Sequence, residues 1–195
     1  MSYDPEAHAA LCQNCPLRGS VVVPPEGPQN PEAVIVGEGP GRLEVQQKRP
    51  FVGPSGVALE EILWKVGLSR KQVWVSNTTL CQPDVPGLRT AKRYDMNTYM
   101  AWLRKENTKR RKEAKANGTD YQPIMSPIDA CAPRLWGELA YFDQQAIQRG
   151  QPNGAVVIPL GNYAAHAIVQ KTGIQKIRGS WYKVNFGDPP KDETA

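Results

Sequence analysis

The chain lacks a long hydrophobic run. Nowhere in its 195 residues does an apolar stretch approach the roughly 20 residues that a membrane-spanning helix requires, and the opening MSYDPEAHAALC lacks the apolar centre of a secretory signal. These absences argue against a membrane partner and set the expectation of a soluble, cytoplasmic protein. Histidine is nearly absent as well. Only His8 and His166 occur, one ahead of a cysteine pair and the other within AAHAI, where an ordinary packed or exposed side chain is expected. The stretch GEGPG (37–41) has neither the Lys-Ser/Thr of a P-loop nor the spacing of a dinucleotide fingerprint, which argues against both kinds of nucleotide site.

What is present is glycine in one place. GEGPGRLEVQQKRPFVGPSG (37–56) carries five glycines and three prolines, with the apolar AVIV before it and VALEEILWKVG after it. In the latter, Val57, Leu59, Ile62, Leu63 and Val66 recur at helical spacing, so a bare loop joins the carboxyl end of a strand to a helix. Further strands are predicted at 73–76 and 155–160, with helices at about 56–66, 127–149 and 162–171 and a last strand at 181–186. The Pro-rich VVVPPEGPQNP (21–31) cannot be a central strand throughout. Strands alternating with helices predict an α/β fold, a three-layer α/β/α arrangement around a mainly parallel sheet. With 40% hydrophobic residues, one domain spanning 1–195 can bury a core. The loops after the three parallel strands should meet at one crevice, making Glu38, Phe51, Asn77 and Asn162 neighbours although they are distant in sequence.

The net charge of +5 favours a polyanionic partner, and much of it is local. Arg104, Lys105, Lys109, Arg110, Arg111, Lys112 and Lys115 crowd a helix-compatible segment, either a solvated helical face or a nucleic-acid contact. Cys12 and Cys15 form a C-x-x-C, while Cys81 and Cys131 stand far off. In a cytoplasmic protein such a set points to a metal site, and thiolates suit zinc or an iron-sulfur cluster. One close pair with two singletons leans towards the cluster.

CQNC, VGEGPGRLE, KRPFVGPSG, VWVSNTTLCQPD, IDACAPRL and IPLGNYAAHAI followed by KIRGSWYKV together resemble the family 4 (4Fe-4S) uracil-DNA glycosylases of the uracil-DNA glycosylase superfamily. The pieces occur in the family's order. The resemblance implies that Cys12, Cys15, Cys81 and Cys131 bind a structural 4Fe-4S cluster and that the partner is uracil-containing DNA, single- or double-stranded. It further implies that Gly37, Gly39 and Gly41 let backbone approach a flipped base, Phe51 stacks on that base, and Asn77 reads its Watson-Crick edge. Glu38 and Glu44 match positions near the scissile bond, where a carboxylate orients water or stabilises an oxocarbenium-like sugar. Ser55 is placed to receive a DNA phosphate.

Two departures from the family bear on function. Residues of about 88–125 form a basic insertion, in which Arg110, Arg111 and Lys112 are candidate DNA contacts. Its Tyr94, Tyr99, Trp102 and Tyr121 either grip single-stranded nucleic acid or anchor the insertion to its own domain. The family also continues into another strand and a His-Pro-Ser-like loop, where this chain reads NFGDPPKDETA, so the last strand of the family is expected to be missing. Loss of a donor aimed at developing charge costs on the order of 100-fold in rate. Three accounts follow: a fragment completed by a second polypeptide, a domain of a larger fusion, or an iron-sulfur domain that binds DNA or a replication partner without cleaving.

Overall fold

The computed structural model describes residues 3–187. Three parallel strands, β1 (Ala33–Gly37), β2 (Val73–Asn77) and β3 (Val157–Pro159), form a sheet in the order β2-β1-β3. Six helices accompany them: α1 (Arg42–Gln47), α2 (Pro54–Lys65), α3 (Met96–Asn117), α4 (Pro127–Gln148), α5 (Asn162–Val169) and α6 (Ile174–Ile177). All five residues of β1 are buried, as expected of a central strand covered on both faces. The period-2 alternation then sorts its side chains between two cores. Val34 and Val36 face Leu135, Trp136, Leu139 and Phe142 of α4 and Ala164 and Ile168 of α5. Ala33 and Ile35, with Val73 and Val75, face Leu59 and Leu63 of α2. This is the expected three-layer α/β/α arrangement, and no described helix is long and apolar enough to cross a membrane.

The two edges of the sheet differ. The Pro-rich segment runs antiparallel along β2, where Glu26 and Val75 exchange both backbone hydrogen bonds and Val22 bridges Cys81. On β3, Val156 and Leu160 turn their hydrogen-bonding groups towards β1, which puts Pro159 in the outward set without an N–H to offer. The strand predicted at 181–186 does not form. Phe186 is buried against Trp136, ring centroids 5.5 Å apart, and this anchor holds the segment in place of a ladder while Trp181 stands 86% exposed. The tail 188–195, read above as replacing the family's further strand, lies outside the described residues.

The basic segment expected to be an insertion is built around α3, a helix with one short buried stripe. Asp95 caps α3 by accepting from the Thr98 N–H at 2.8 Å, and Gly118 ends it in the left-handed region. Met96, Tyr99 and Leu103 are buried at helical spacing, and beyond them every Lys and Arg of the helix is exposed. The return segment is pinned to the helix where Asn107 donates to the Ile124 carbonyl and accepts from its N–H. Of the insertion's aromatics, Tyr99 and Trp102 pack with Leu17, Val85, Cys15 and Cys81, while Tyr94 and Tyr121 lie under Arg93 and Arg111. Tyr99 and Trp102 thus tie the segment to the rest of the domain, whereas Tyr94 and Tyr121 meet arginines of the segment itself.

Candidate functional site

At the carboxyl end of β1, Gly37 lies in register with Asn77 of β2. A Cβ at Gly37 would stand 2.5 Å from Asn77 Oδ1 and 2.5 Å from Phe51 Cζ. The aromatic ring and the amide therefore converge on bare backbone, as the sequence predicted. Asn77 is 2% exposed.

Phe51 needs support, because its φ of +53° puts a bulky L-residue in the left-handed region. Four neighbours supply it. Arg70 donates to the carbonyls of Phe51 and Pro50, and is itself paired with Glu26 at 2.8 Å. Glu44 Oε1 accepts from the N–H groups of Val52 (3.1 Å) and Gly53 (2.8 Å), just past Phe51. Gly56, in the first turn of α2, approaches the Phe51 carbonyl so closely that any Cβ would overlap it. Gly37 lies beneath the ring.

The other predicted residues distribute around this centre. Glu44 is buried, and the bare Cα of Gly41 faces its Oε2, so Gly41 accommodates this carboxylate. Gly39 adjoins Thr79 and Met96, where a Cβ would lie 2.8 Å from Thr79 Oγ1 and 3.1 Å from Met96 Cε. Ser55 is exposed in the first turn of α2. The Glu38 carbonyl accepts from Thr78 Oγ1 and from the Thr79 N–H, while its side chain reaches the start of α5 and accepts from the Tyr163 N–H at 3.0 Å. Gly161, at φ +106°, passes so near this carboxylate that a Cβ would overlap it. Burial pushes the Glu38 carboxyl above its ordinary range, against the pull of the Tyr163 and Asn162 amides. The three loops thus meet, with Asn162 beside Glu38. His8 stacks on Tyr3 and His166 is exposed on α5.

The four cysteines are gathered by backbone pairing. Leu11 N–H donates to the Ala130 carbonyl at 2.7 Å, bringing together the neighbours of Cys12 and Cys131, and the Val22–Cys81 bridge draws in the third segment. Among the described residues no three Cys, His, Asp or Glu side chains are grouped to hold a single metal ion as they stand. All four thiols instead line one cavity of about 190 Å³, and none is in a disulfide. Burial, reinforced by the charge of neighbouring thiols, pushes Cys81 up to about 12, and burial raises Cys15 to about 11 despite the Leu17 N–H donating to its sulfur. Four soft donors around an apolar cavity with an N–H aimed at one sulfur fit a cluster of iron and sulfide.

Sequence reasoning missed Arg134. Its side chain on α4 is fully buried and donates to Ser76 Oγ (3.0 Å), the Asn77 carbonyl (2.6 Å) and the Thr78 carbonyl (3.3 Å), with Glu138 as its ion-pair partner at 2.8 Å. The available signal was an Arg and a Glu four residues apart inside IDACAPRLWGELAYF, an otherwise apolar helical stretch. Arg70 and Met96 were missed for want of any local pattern.

Comparison with known proteins gives one consistent result. Residues 24–189 match the family model described as the uracil DNA glycosylase superfamily. The chain is 37% identical over 94 residues to the Type-4 uracil-DNA glycosylase of Pyrobaculum aerophilum, covering 47% of each protein. It is 44% identical over 82 residues to the Type-4 uracil-DNA glycosylase of Thermotoga maritima, covering 40% of this chain and 41% of that protein. Over 179 residues it is 39% identical to the Type-4 uracil-DNA glycosylase of Sulfurisphaera tokodaii, covering 88% of this chain and 61% of that protein. The matches thus span less than two thirds of these relatives' lengths.

Proposed function

Because the chain belongs to the uracil-DNA glycosylase superfamily, we propose that it excises uracil from DNA, taking the base out of the stack and hydrolysing its N-glycosidic bond. The observation that carries this reading is the convergence of Phe51 and Asn77 on Gly37. A flipped pyrimidine stacks on the Phe51 ring, and the Asn77 amide, with one acceptor and one donor, complements uracil N3–H and O4. In the reaction the N1–C1′ bond breaks with its electron pair going to uracil, water adds at C1′, and the proton released balances the uracil anion. Glu38 is the carboxylate placed to orient that water or to face the positive charge developing on the sugar. Glu44 acts one step back, holding the segment that presents Phe51. Gly39 and Gly41 give that loop its close packing.

Ser55 would receive a phosphate at the start of α2. Arg110, Arg111 and Lys112 would attract the DNA backbone from α3, with Arg111 partly engaged by Tyr121. Cys12, Cys15, Cys81 and Cys131 would hold a 4Fe-4S cluster, which when bound supplies a covalent cross-link among their segments and compensates thiolate charge. Four unpaired thiols suit a reducing compartment, so cytoplasmic action is part of the proposal. The expectation of a second polypeptide finds no support in the matched relatives.

The test is single-turnover base release from a uracil-containing single-stranded oligonucleotide, with iron content measured on the same preparation. Alkali-labile abasic sites are expected, formed on the order of 100-fold more slowly, but still measurably, by Asn77→Ala. No release by stoichiometric, iron-loaded protein would overturn excision. Salt-sensitive DNA affinity without release would favour the binding-only reading, which the exposed Lys and Arg side chains of α3 motivate.

A further inference from the structure

We propose that Arg134 is a positioning residue for the base-reading amide, acting from α4 through the backbone of β2. The inference rests on the reading of Asn77 given above. Asn77 is the last residue of β2, and the direction of its side chain follows from how its own peptide and the next one are held. Arg134 holds both, donating Nη2 to the Asn77 carbonyl at 2.6 Å and to the Thr78 carbonyl at 3.3 Å. Its Nη1 donates to Ser76 Oγ at 3.0 Å on the preceding residue. Three consecutive residues ending in the pocket are therefore gripped by one planar fork, a geometry that a lysine ammonium cannot reproduce.

The fork is itself oriented from behind. Glu138, one turn along α4, accepts from Arg134 Nη1 at 2.8 Å through Oε2 and from Trp74 Nε1 at 2.6 Å through Oε1. The chain Trp74, Glu138, Arg134, Asn77 thus ties the start of β2 to its end across the helix. Stability alone does not account for this arrangement. A buried ion pair is often matched or bettered by apolar side chains of similar volume, and Arg134 Nε is left buried without a partner among the described residues, which costs further. What the arginine adds is a fixed geometry at Asn77. Its place in the chain adds a second point: Cys131 lies one turn before Arg134, and Cys81 lies four residues after Asn77, so the clamp joins two of the thiol-bearing segments directly.

A double-mutant cycle tests this. Arg134→Lys and Glu138→Gln are each made in the wild-type and Asn77→Ala backgrounds. Two quantities are read: the single-turnover rate of uracil release, and the ratio of affinities for uracil- and thymine-containing oligonucleotides, with iron content and melting temperature as controls. If Arg134 acts through Asn77, Arg134→Lys lowers the rate on the order of tenfold and flattens the affinity ratio in the wild-type background. With Asn77 already removed it changes either quantity less than about twofold. Equal losses in both backgrounds, or no loss in either, would overturn the proposal. Should Arg134→Lys fail to fold, the Glu138→Gln cycle decides by the same criterion. Should wild-type protein release no uracil, the excision reading fails separately. The affinity ratio then decides: a uracil preference that depends on Arg134 only when Asn77 is present supports the clamp, and any other result overturns it.

Discussion

The pocket and the thiol cavity lie four residues apart on the strand leaving β2, yet they are stabilised in opposite ways. Around Phe51 and Asn77 the chain supplies its own bracing: Arg70, Glu44 and Arg134 each satisfy two or more backbone groups with charge-assisted hydrogen bonds. Around Cys12, Cys15, Cys81 and Cys131 there is apolar packing from Leu17, Val85, Tyr99 and Trp102, with one N–H directed at one sulfur. Burial there opposes the thiolate form, and neighbouring thiols oppose it further. The pocket is shaped by the polypeptide alone, whereas the thiol cavity favours neutral thiols and would hold thiolates only with a partner that compensates their charge. Substitutions at the first should alter chemistry with little loss of fold, and disturbance of the second should do the reverse.

Gly37→Ala is the sharpest way to break the pocket side of that contrast. A methyl group there displaces either the Phe51 ring or the Asn77 amide, each of which would otherwise be 2.5 Å away. Misplacement by about 1 Å costs on the order of 100-fold in rate, so release should fall by that factor while iron content is unchanged. Equal loss of iron and activity would show that the two regions are not independent. On the thiol side, Cys131→Ser should lower the melting temperature by on the order of 10 °C, the size expected if a few kcal/mol of bound-state stabilisation is lost. A melting temperature unmoved by loss of iron would deny the cavity any part in holding the fold.

Glu44 separates bracing from chemistry within the pocket itself. Glu44→Gln keeps an oxygen to accept from Val52 and Gly53, whereas Glu44→Ala leaves both amides without it, at a cost of about 1–3 kcal/mol for the buried Gly53 donor. Stability should therefore drop in the alanine variant, and release by the glutamine variant should stay within about tenfold of wild type, the loss of one charge-assisted bond. A 100-fold fall in Glu44→Gln with normal melting would instead put the carboxylate on the substrate.

Much of this was legible because it is local. The strands at 33–37 and 73–77, α2 and α4 follow from apolar period and from punctuation by Gly and Pro, and glycine density marks the loop that Phe51 overlies. The bracing was not legible, because it depends on partners 9 to 58 residues distant: Glu44 with Gly53, Arg70 with Phe51, Arg134 with Ser76. Nor does alternation suffice to make a strand. Residues 181–186 alternate, but β3 spans only 157–159 and presents a proline to its free edge, so the segment is fixed by Phe186 in place of a ladder. The insertion shows the same limit. Its basic run was plain, whereas the inward stripe of Met96, Tyr99 and Leu103 is identified by what it covers.

The smallest predicted effect concerns Glu38, the carboxylate nearest both the β1 and β3 loops. Burial raises its folded-state pKa above the unfolded value, so the proton is held more tightly in the native protein. Below the ordinary carboxylate range Glu38 is protonated in both states and costs nothing. As pH rises the unfolded chain ionises first, and native stability declines until the folded carboxyl has ionised too, after which the loss is constant. Glu38→Gln keeps an acceptor for the Tyr163 N–H and cannot ionise. The melting temperature of Glu38→Gln minus that of wild type should therefore grow as pH rises through the ordinary carboxylate range and level off once the folded carboxyl has ionised. A difference that shrinks over that window would mean that the Tyr163 and Asn162 amides outweigh burial. Glu38 would then be a carboxylate whose ionised form the amides at the start of α5 stabilise.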